Sequence, residues 1–234
     1  MRTLGIIGGI APESTVEYYR QVISLYRERT GDGSYPSIVI NSIDLKRLLD
    51  AVGAGRLSEL ADYLVAELGR LAAAGADVAL LASNTPHIVF DEVRSRCPIP
   101  LLSIVEAAAA AARELGFRRV GLLGTRFTMQ ARFYPDVFAE QGVAVVSPTP
   151  DEQEYVHSRY VGELVNGVFR NETRQGVLAI VDRMKHRDAI EAMILGGTEL
   201  PLLFREGPMP PLPLLDTTRI HAERAVSYLT DGCG

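Results

Sequence analysis

The residues best suited to chemistry lie in two short polar stretches, each directly after a predicted apolar strand. Ser83-Asn84-Thr85 follows the strand Val78–Ala82, and Gly197-Thr198-Glu199 follows the strand Ala192–Leu195. Hydroxyl, amide and carboxylate groups in such places orient small ligands or transfer protons. Ser83 and Gly197 hold matching places, 114 residues apart.

A second pair of segments repeats this offset. Leu4–Gly9 resembles Val120–Thr125, which lies 116 residues further along the chain. Two pairs at nearly one offset indicate an internal duplication. We therefore expect two related halves whose polar strand ends face one cleft from opposite sides.

Composition excludes several classes of protein. Of the 234 residues 47% are apolar and 23% charged, which is typical of a globular chain with a sizeable core. A net charge of −5 favours neither nucleic acid nor an anionic membrane as a partner. The sequence has no membrane span, signal peptide or metal-ligand spacing, and Cys97 and Cys233 cannot form a disulfide framework, so we expect a cytoplasmic protein without metal.

Short strands alternate with helices along the whole chain, which predicts an α/β fold with mostly parallel sheets flanked by helices. In such sheets ligands bind at the carboxyl ends of the strands. We predict two pseudo-symmetric lobes, one of residues 1–104 plus 215–234 and the other of residues 105–214, with the active site in the cleft between them. Predicted helices include single helices over Thr85–Arg96 and Phe127–Gln141.

Each polar feature also has a purely structural interpretation. Gly8-Gly9 offers backbone amides to an anion or simply makes a tight strand-to-helix turn. Ser83-Asn84-Thr85 and Thr198 are preferred N-cap residues, and Asp44 is expected to cap a short helix. His87 and His221 lie inside predicted helices, where a structural role is favoured. Neither cysteine has the context of a catalytic thiol.

Several collinear motifs resemble the aspartate/glutamate racemase family, the amino-acid racemases that use no pyridoxal phosphate or other cofactor. The resemblance covers nearly the whole chain. Its motifs are Gly8–Thr15, Asn84–His87, Leu123–Met129, Gly196 with Thr198–Pro201, and Asp216-Thr217 with His221-Ala222. It implies two α/β lobes, an isomerase acting on a small acidic amino acid or related carboxylate, and a homodimer.

The family's chemistry uses two cysteine thiols, one on each side of the substrate Cα. Ser83 stands at the first of these positions and Gly197 at the second. A hydroxyl is a poor general base without a partner, and glycine has no side chain, so we expect racemisation to be weak or absent. The catalytic positions are therefore Ser83, Gly197 and Glu199, and the predicted substrate-binding residues are Gly8, Ser14, Thr15, Asn84, Thr85, Thr125, Thr128 and Thr198.

Other interpretations stay open at this point. Gly197 could leave room for a water or a larger substrate, with Ser83 or Glu199 serving a lyase, decarboxylase or cyclase reaction on the same scaffold. The chain could also be a non-catalytic ligand-binding relative. Lys46, Arg47 and Arg159 either meet a substrate carboxylate or are ordinary surface cations.

Overall fold

The chain divides into two units in its computed structural model, which describes residues 2–231. One unit comprises Met1–Ile104 with His221–Gly234, and the other comprises Val105–Ile220. The sequence places the corresponding boundaries at 104/105 and 214/215. The predicted lobe assignment itself stays a prediction.

The first unit is built on a four-stranded sheet in the order β2-β1-β3-β4, with every pair parallel. Parallel strands need crossover connections, which the intervening helices supply. Its elements are β1 (Thr3–Gly8), α1 (Pro12–Thr30), β2 (Ser37–Ser42), α2 (Leu45–Gly53), α3 (Leu57–Ala73), β3 (Val78–Leu81), a 3₁₀ turn (Thr85–Val89), α4 (Phe90–Arg96) and β4 (Leu101–Leu102).

The second unit repeats the arrangement, with the strand order β6-β5-β7-β8 and parallel pairing throughout. Its elements are α5 (Ile104–Glu114), β5 (Arg119–Gly124), α6 (Arg126–Gln130), α7 (Phe133–Glu140), β6 (Ala144–Val146), α8 (Pro150–Gly162), a 3₁₀ turn (Leu164–Asn166), α9 (Asn171–Asp188), β7 (Ala192–Gly196), α10 (Leu200–Leu203) and β8 (Leu214–Asp216). The final helix, α11, spans Thr217–Thr230.

The predicted α/β fold with two parallel sheets is confirmed. The matching segments found in the sequence become β1 and β5, and β3 and β7, which hold the same two positions in the two strand orders. The central strands read as continuous apolar runs because helices cover both of their faces, as in β3 and β7, which are buried at every residue.

Two predicted helices are wrong in detail. The segment Phe127–Gln141 is two helices, because Ala131 is extended (φ −74°, ψ 158°) and separates α6 from α7. The segment Thr85–Arg96 begins as a 3₁₀ turn before α4, and Pro86, which lacks an N–H, lies in its first positions. Asp44 caps α2 as predicted, accepting a hydrogen bond from the Lys46 N–H at 2.8 Å.

Each unit has its own core. In the first, Tyr18, Val22 and Tyr26 recur every four residues on α1 and pack with strand residues and with the inner face of α11. In the second, Val177, Ile180 and other residues of α9 pack with α8, β5 and β7. Among residues 2–231 no helix is both long and apolar enough to cross a membrane.

His87 and His221 are structural histidines buried in the first unit. The Ile104 N–H donates to His87 Nε2 at 3.2 Å, so Nδ1 carries the proton and donates to Ser83 O at 3.1 Å. His221 Nε2 donates to Leu102 O at 3.1 Å, which leaves Nδ1 to accept from the Tyr18 hydroxyl at 2.8 Å. Both rings are therefore fully used as neutral imidazoles.

Burial lowers the pKa of His87 to about 3, with a further contribution from His221, and burial lowers the pKa of His221 to about 4. Below pH 6.5 these two histidines bind protons in the unfolded chain but stay neutral in the folded chain. The free energy of unfolding therefore falls as the pH falls. Between pH 7 and pH 5 each histidine should remove about 2 kcal/mol of the free energy of unfolding.

Urea unfolding at pH 7 and pH 5 measures this loss. His87→Asn and His221→Asn should each start from a lower stability yet lose about 2 kcal/mol less than the parent over the same interval. A variant with the parent's full pH dependence would show that its histidine does not titrate as described.

Candidate functional site

The Gly8-Gly9 turn at the end of β1 is fixed by Thr15 on α1. A Cβ atom at Gly8 would lie 2.5 Å from Thr15 Cγ2, so only glycine fits there. Gly9 has a left-handed φ of +80°, and its N–H donates to Thr15 Oγ1 at 2.8 Å. The tight-turn interpretation is therefore satisfied, and the Gly9 N–H already has a partner within the chain.

Ser83, Asn84 and Thr85 follow β3 at the neighbouring strand end. Ser83 is half-buried, while Asn84 and Thr85 are 3% and 6% exposed. Asn84 holds the N-cap position of the 3₁₀ turn but makes no side-chain capping bond. The capping interpretation thus does not account for Asn84. Ser14, on the first turn of α1, is fully buried in the same unit.

Thr125 and Thr128 occupy the corresponding turn after β5 in the second unit. Thr125 caps α6, since its Oγ1 accepts from the Thr128 N–H at 3.2 Å, and the two hydroxyls lie 3.1 Å apart. A Cβ atom at Gly124 would lie 2.6 Å from Gly196 O and 3.0 Å from Thr128 Cβ. This turn is as closely packed as its counterpart at Gly8.

Thr198 and Glu199 follow β7 and are 3% and 1% exposed. Thr198 Oγ1 donates to Glu199 Oε2 at 2.9 Å. Glu199, and not Thr198, holds the N-cap position of α10, and its side chain makes no capping bond. The capping alternative raised for Thr198 therefore does not apply, because Glu199 holds the N-cap position and the Thr198 hydroxyl is directed to the neighbouring carboxylate.

Tyr160, a residue of α8 that the sequence did not single out, completes this strand end. Its hydroxyl donates to Glu199 Oε2, the same oxygen that accepts from Thr198. Burial, and after it the charge of Glu199, raises the pKa of the Tyr160 phenol well above its usual value. The phenol is therefore a protonated donor at neutral pH. No sequence signal identifies it, since a tyrosine at helical spacing is typical of a core.

The three candidate cations lie in different surroundings. Lys46 pairs with Asp50 at 2.5 Å, and the Arg47 guanidinium lies 3.8 Å from the centroid of the Tyr63 ring. These four side chains line a hollow of about 370 Å³ between α2 and α3. Arg159, in the second unit, pairs with Glu163 at 2.8 Å.

No cluster of histidine, cysteine, aspartate and glutamate suited to a metal ion occurs within residues 2–231. Cys97 is a free cysteine that ends α4, and burial raises the pKa of its thiol. A raised pKa disfavours the reactive thiolate. Cys233 lies outside the described residues.

A family model described as Asp/Glu/Hydantoin racemase matches residues 7–225. The chain belongs to this racemase family. A crystal structure of a provisionally assigned Asp/Glu racemase from Yersinia pestis is 31% identical, covers 98% of this chain and 99% of its own, and has a TM-score of 0.87. An aspartate racemase homologue from Pyrococcus horikoshii OT3 is 34% identical over 98% of this chain and 100% of its own, with a TM-score of 0.81.

A curated relative of the family is the broad specificity amino-acid racemase RacX of Bacillus subtilis (strain 168). It is 26% identical over 166 residues, which are 70% of this chain and 67% of the relative.

For this racemase-family chain, the surroundings of Gly197 bear on the alternative in which the glycine leaves room for a ligand. The Tyr160 ring lies where the side chain of residue 197 would begin, so that direction offers no room for a water or a larger substrate. A Cβ atom at Gly197 would lie 2.5 Å from Tyr160 Cε2 and 2.7 Å from its hydroxyl oxygen.

The predicted site residues fall into two sets, each at the strand ends of one sheet. Whether the two sets form one site stays a prediction. The first unit holds Gly8, Ser14, Thr15, Ser83, Asn84 and Thr85, and the second holds Thr125, Thr128, Gly197, Thr198 and Glu199.

The Gly9 turn gives a testable consequence. In Gly9→Ala the new Cβ would meet the Ile43 carbonyl oxygen and lie 2.7 Å from Ser42 Oγ. The left-handed backbone conformation at position 9 would add strain of its own. Gly31→Ala is a matched control, because Gly31 has a φ of +66° and nothing within 4 Å of its Cβ position. We expect a loss of about 1 kcal/mol in the control and about 2–4 kcal/mol in Gly9→Ala.

Denaturant unfolding of both variants measures the difference. Equal losses in the two variants would show that contact with the β2 end does not restrict position 9.

Proposed function

We propose that this chain binds a small acidic amino acid or a related carboxylate at the carboxyl ends of its strands, and that it racemises such a ligand weakly or not at all. We further propose that the chain needs no cofactor, forms a homodimer in the cytoplasm and has no nucleic-acid partner. The family match over residues 7–225 supports the substrate class. The family resemblance of the motifs supports the dimer.

The observation that carries the proposal is the lack of a thiol at both strand-end turns. Ser83 and Gly197 occupy the two places at which the resemblance puts the family's cysteines. Cys97, the free cysteine within residues 2–231, ends α4 and lies 14 residues after Ser83 and 100 residues before Gly197, so it belongs to neither turn. Racemisation needs one group to remove the Cα proton and another to return it on the opposite face.

Ser83 and Gly197 offer neither function. A serine hydroxyl stays protonated at neutral pH and is a poor base without a partner to take its proton, and glycine has no side chain to carry a proton. Loss of one general acid–base group typically lowers a rate by about 10²–10⁴-fold. Glu199 remains as an acid–base candidate, but two hydrogen bonds to one of its oxygens hold the carboxylate in place.

Ligand binding does not require those thiols. Small hydroxyl and amide side chains stand at the strand ends, together with the first turn of α1, and helix starts favour carboxylates. Arg47 and Lys46 lie on the helix that follows β2, at the carboxyl edge of the first sheet, where they would meet a second carboxylate. These two cations support a preference for acidic over neutral amino acids as ligands.

The test combines binding with proton exchange. Calorimetry with both enantiomers of aspartate and glutamate should detect binding, while NMR in D₂O should show Cα exchange at least about 10²-fold slower than in a thiol-containing family member assayed in parallel. Rapid exchange by the unmodified chain would contradict the proposal. Chemical conversion of the ligand without exchange would favour a lyase, decarboxylase or cyclase.

Arg47→Met tests the proposed contact between the Arg47 guanidinium and the ligand's second carboxylate. Arg132→Met is the matched control because the Arg132 side chain is 85% exposed and pairs with Asp136. Loss of a charge-assisted hydrogen bond should weaken aspartate binding by about 10-fold or more in Arg47→Met and leave the control unchanged. Equal binding by parent and Arg47→Met would remove Arg47 from the site.

A further inference from the structure

Tyr160 and Gly197 are sterically coupled. A side chain at position 197 would begin 2.5 Å from Tyr160 Cε2, 2.7 Å from its oxygen and 2.9 Å from Cζ. All three distances are well inside van der Waals contact, and they involve the ring itself. Any residue larger than glycine at position 197 therefore requires the ring to move.

The ring cannot move freely, because both its body and its tip are held. Tyr160 is 5% exposed and belongs to the core cluster that includes Val156, Leu195 and Leu200. Its hydroxyl donates to Glu199 Oε2, and Glu199 is 1% exposed. Displacing the ring would break packing and would also take a donor from a buried carboxylate, which is costly.

We propose that Tyr160 occupies the place at the end of β7 that a side chain at position 197 would fill, and so determines which group this strand end can carry. Its phenol oxygen, hydrogen-bonded to Glu199, lies 2.7 Å from the Cβ position of residue 197. Tyr160 is thus a specificity-determining residue. The functional part of this inference rests on the proposed function, whereas the steric part does not.

The consequence is that a thiol cannot be introduced at position 197 by one substitution. Ser83→Cys with Gly197→Cys would place the second sulfur against the Tyr160 ring. The same pair of substitutions combined with Tyr160→Leu would leave space for it, because leucine keeps an apolar side chain in the core but lacks the ring edge and the hydroxyl.

A thermal-unfolding cycle tests the steric part without any ligand. Gly197→Ala should lower the Tm by roughly 5 °C in the parent. It should lower the Tm by most of that amount in a Tyr160→Phe background, because the ring is retained while the hydroxyl contact and its hydrogen bond are lost. In a Tyr160→Leu background the loss should be less than about 2 °C. Equal losses in all three backgrounds would overturn the proposal.

A second tyrosine–glycine contact supplies the control. A Cβ atom at Gly176 on α9 would meet the Tyr155 ring, which also lies on α8 but is only half-buried. Gly176→Ala should cost the same in the parent and in the Tyr160→Leu background. A smaller loss of Tm on Gly176→Ala in the Tyr160→Leu background would mean that leucine weakens packing throughout the unit. That result would overturn the specific coupling between Tyr160 and Gly197.

Cα exchange of aspartate in D₂O tests the functional part. Ser83→Cys/Gly197→Cys should stay at the background rate, and the triple variant with Tyr160→Leu should exceed it by about 10²-fold or more. Equal exchange by the double and triple variants would overturn the role of Tyr160, as would no exchange by a triple variant that folds and binds aspartate. If the parent binds no acidic amino acid, the proposed function fails while the thermal cycle still decides the steric coupling.

Discussion

Close packing at the strand ends is the constraint on which the rest of each unit depends. Parallel pairing brings the carboxyl ends of four strands to one edge, where a helix must start within a few residues of a buried strand. In the first unit Gly8 permits Thr15 to pack against the backbone, and in the second Gly124 does the same for Thr128. Glycine at these points is required by distance, whatever ligand the edge receives.

The two strand ends after β3 and β7 have diverged within this shared frame. The first carries a half-buried serine, whose carbonyl oxygen is held by His87. The second carries Gly197, which the Tyr160 ring covers. The Tyr160 and Thr198 hydroxyls both donate hydrogen bonds to the same oxygen of the buried Glu199 carboxylate. The first end thus carries a small hydroxyl side chain, whereas at the second an aromatic ring from another helix lies where a side chain would begin.

The buried histidines of the first unit and Tyr160 of the second are held by hydrogen bonds. His87 and His221 each use both ring nitrogens, which fixes their tautomers and keeps them neutral. The Tyr160 phenol remains protonated for a related reason, since burial and a neighbouring carboxylate both oppose a second negative charge. These groups therefore act as fixed donors and acceptors near neutral pH.

The sequence alone determined the element types, the duplication and the polar strand ends, because these follow from local periodicity and from the repetition of short motifs. It predicted the cap at Asp44, which depends on a contact two residues away. It missed the cap at Thr125, the break at Ala131 and the engagement of Thr198 with Glu199. Only the tertiary structure decided what lies beside Gly197. Tyr160 precedes Gly197 by 37 residues. Sequence periodicity reports only contacts within one helix or strand, so it cannot predict that an aromatic ring of one helix packs against a glycine at the end of a distant strand.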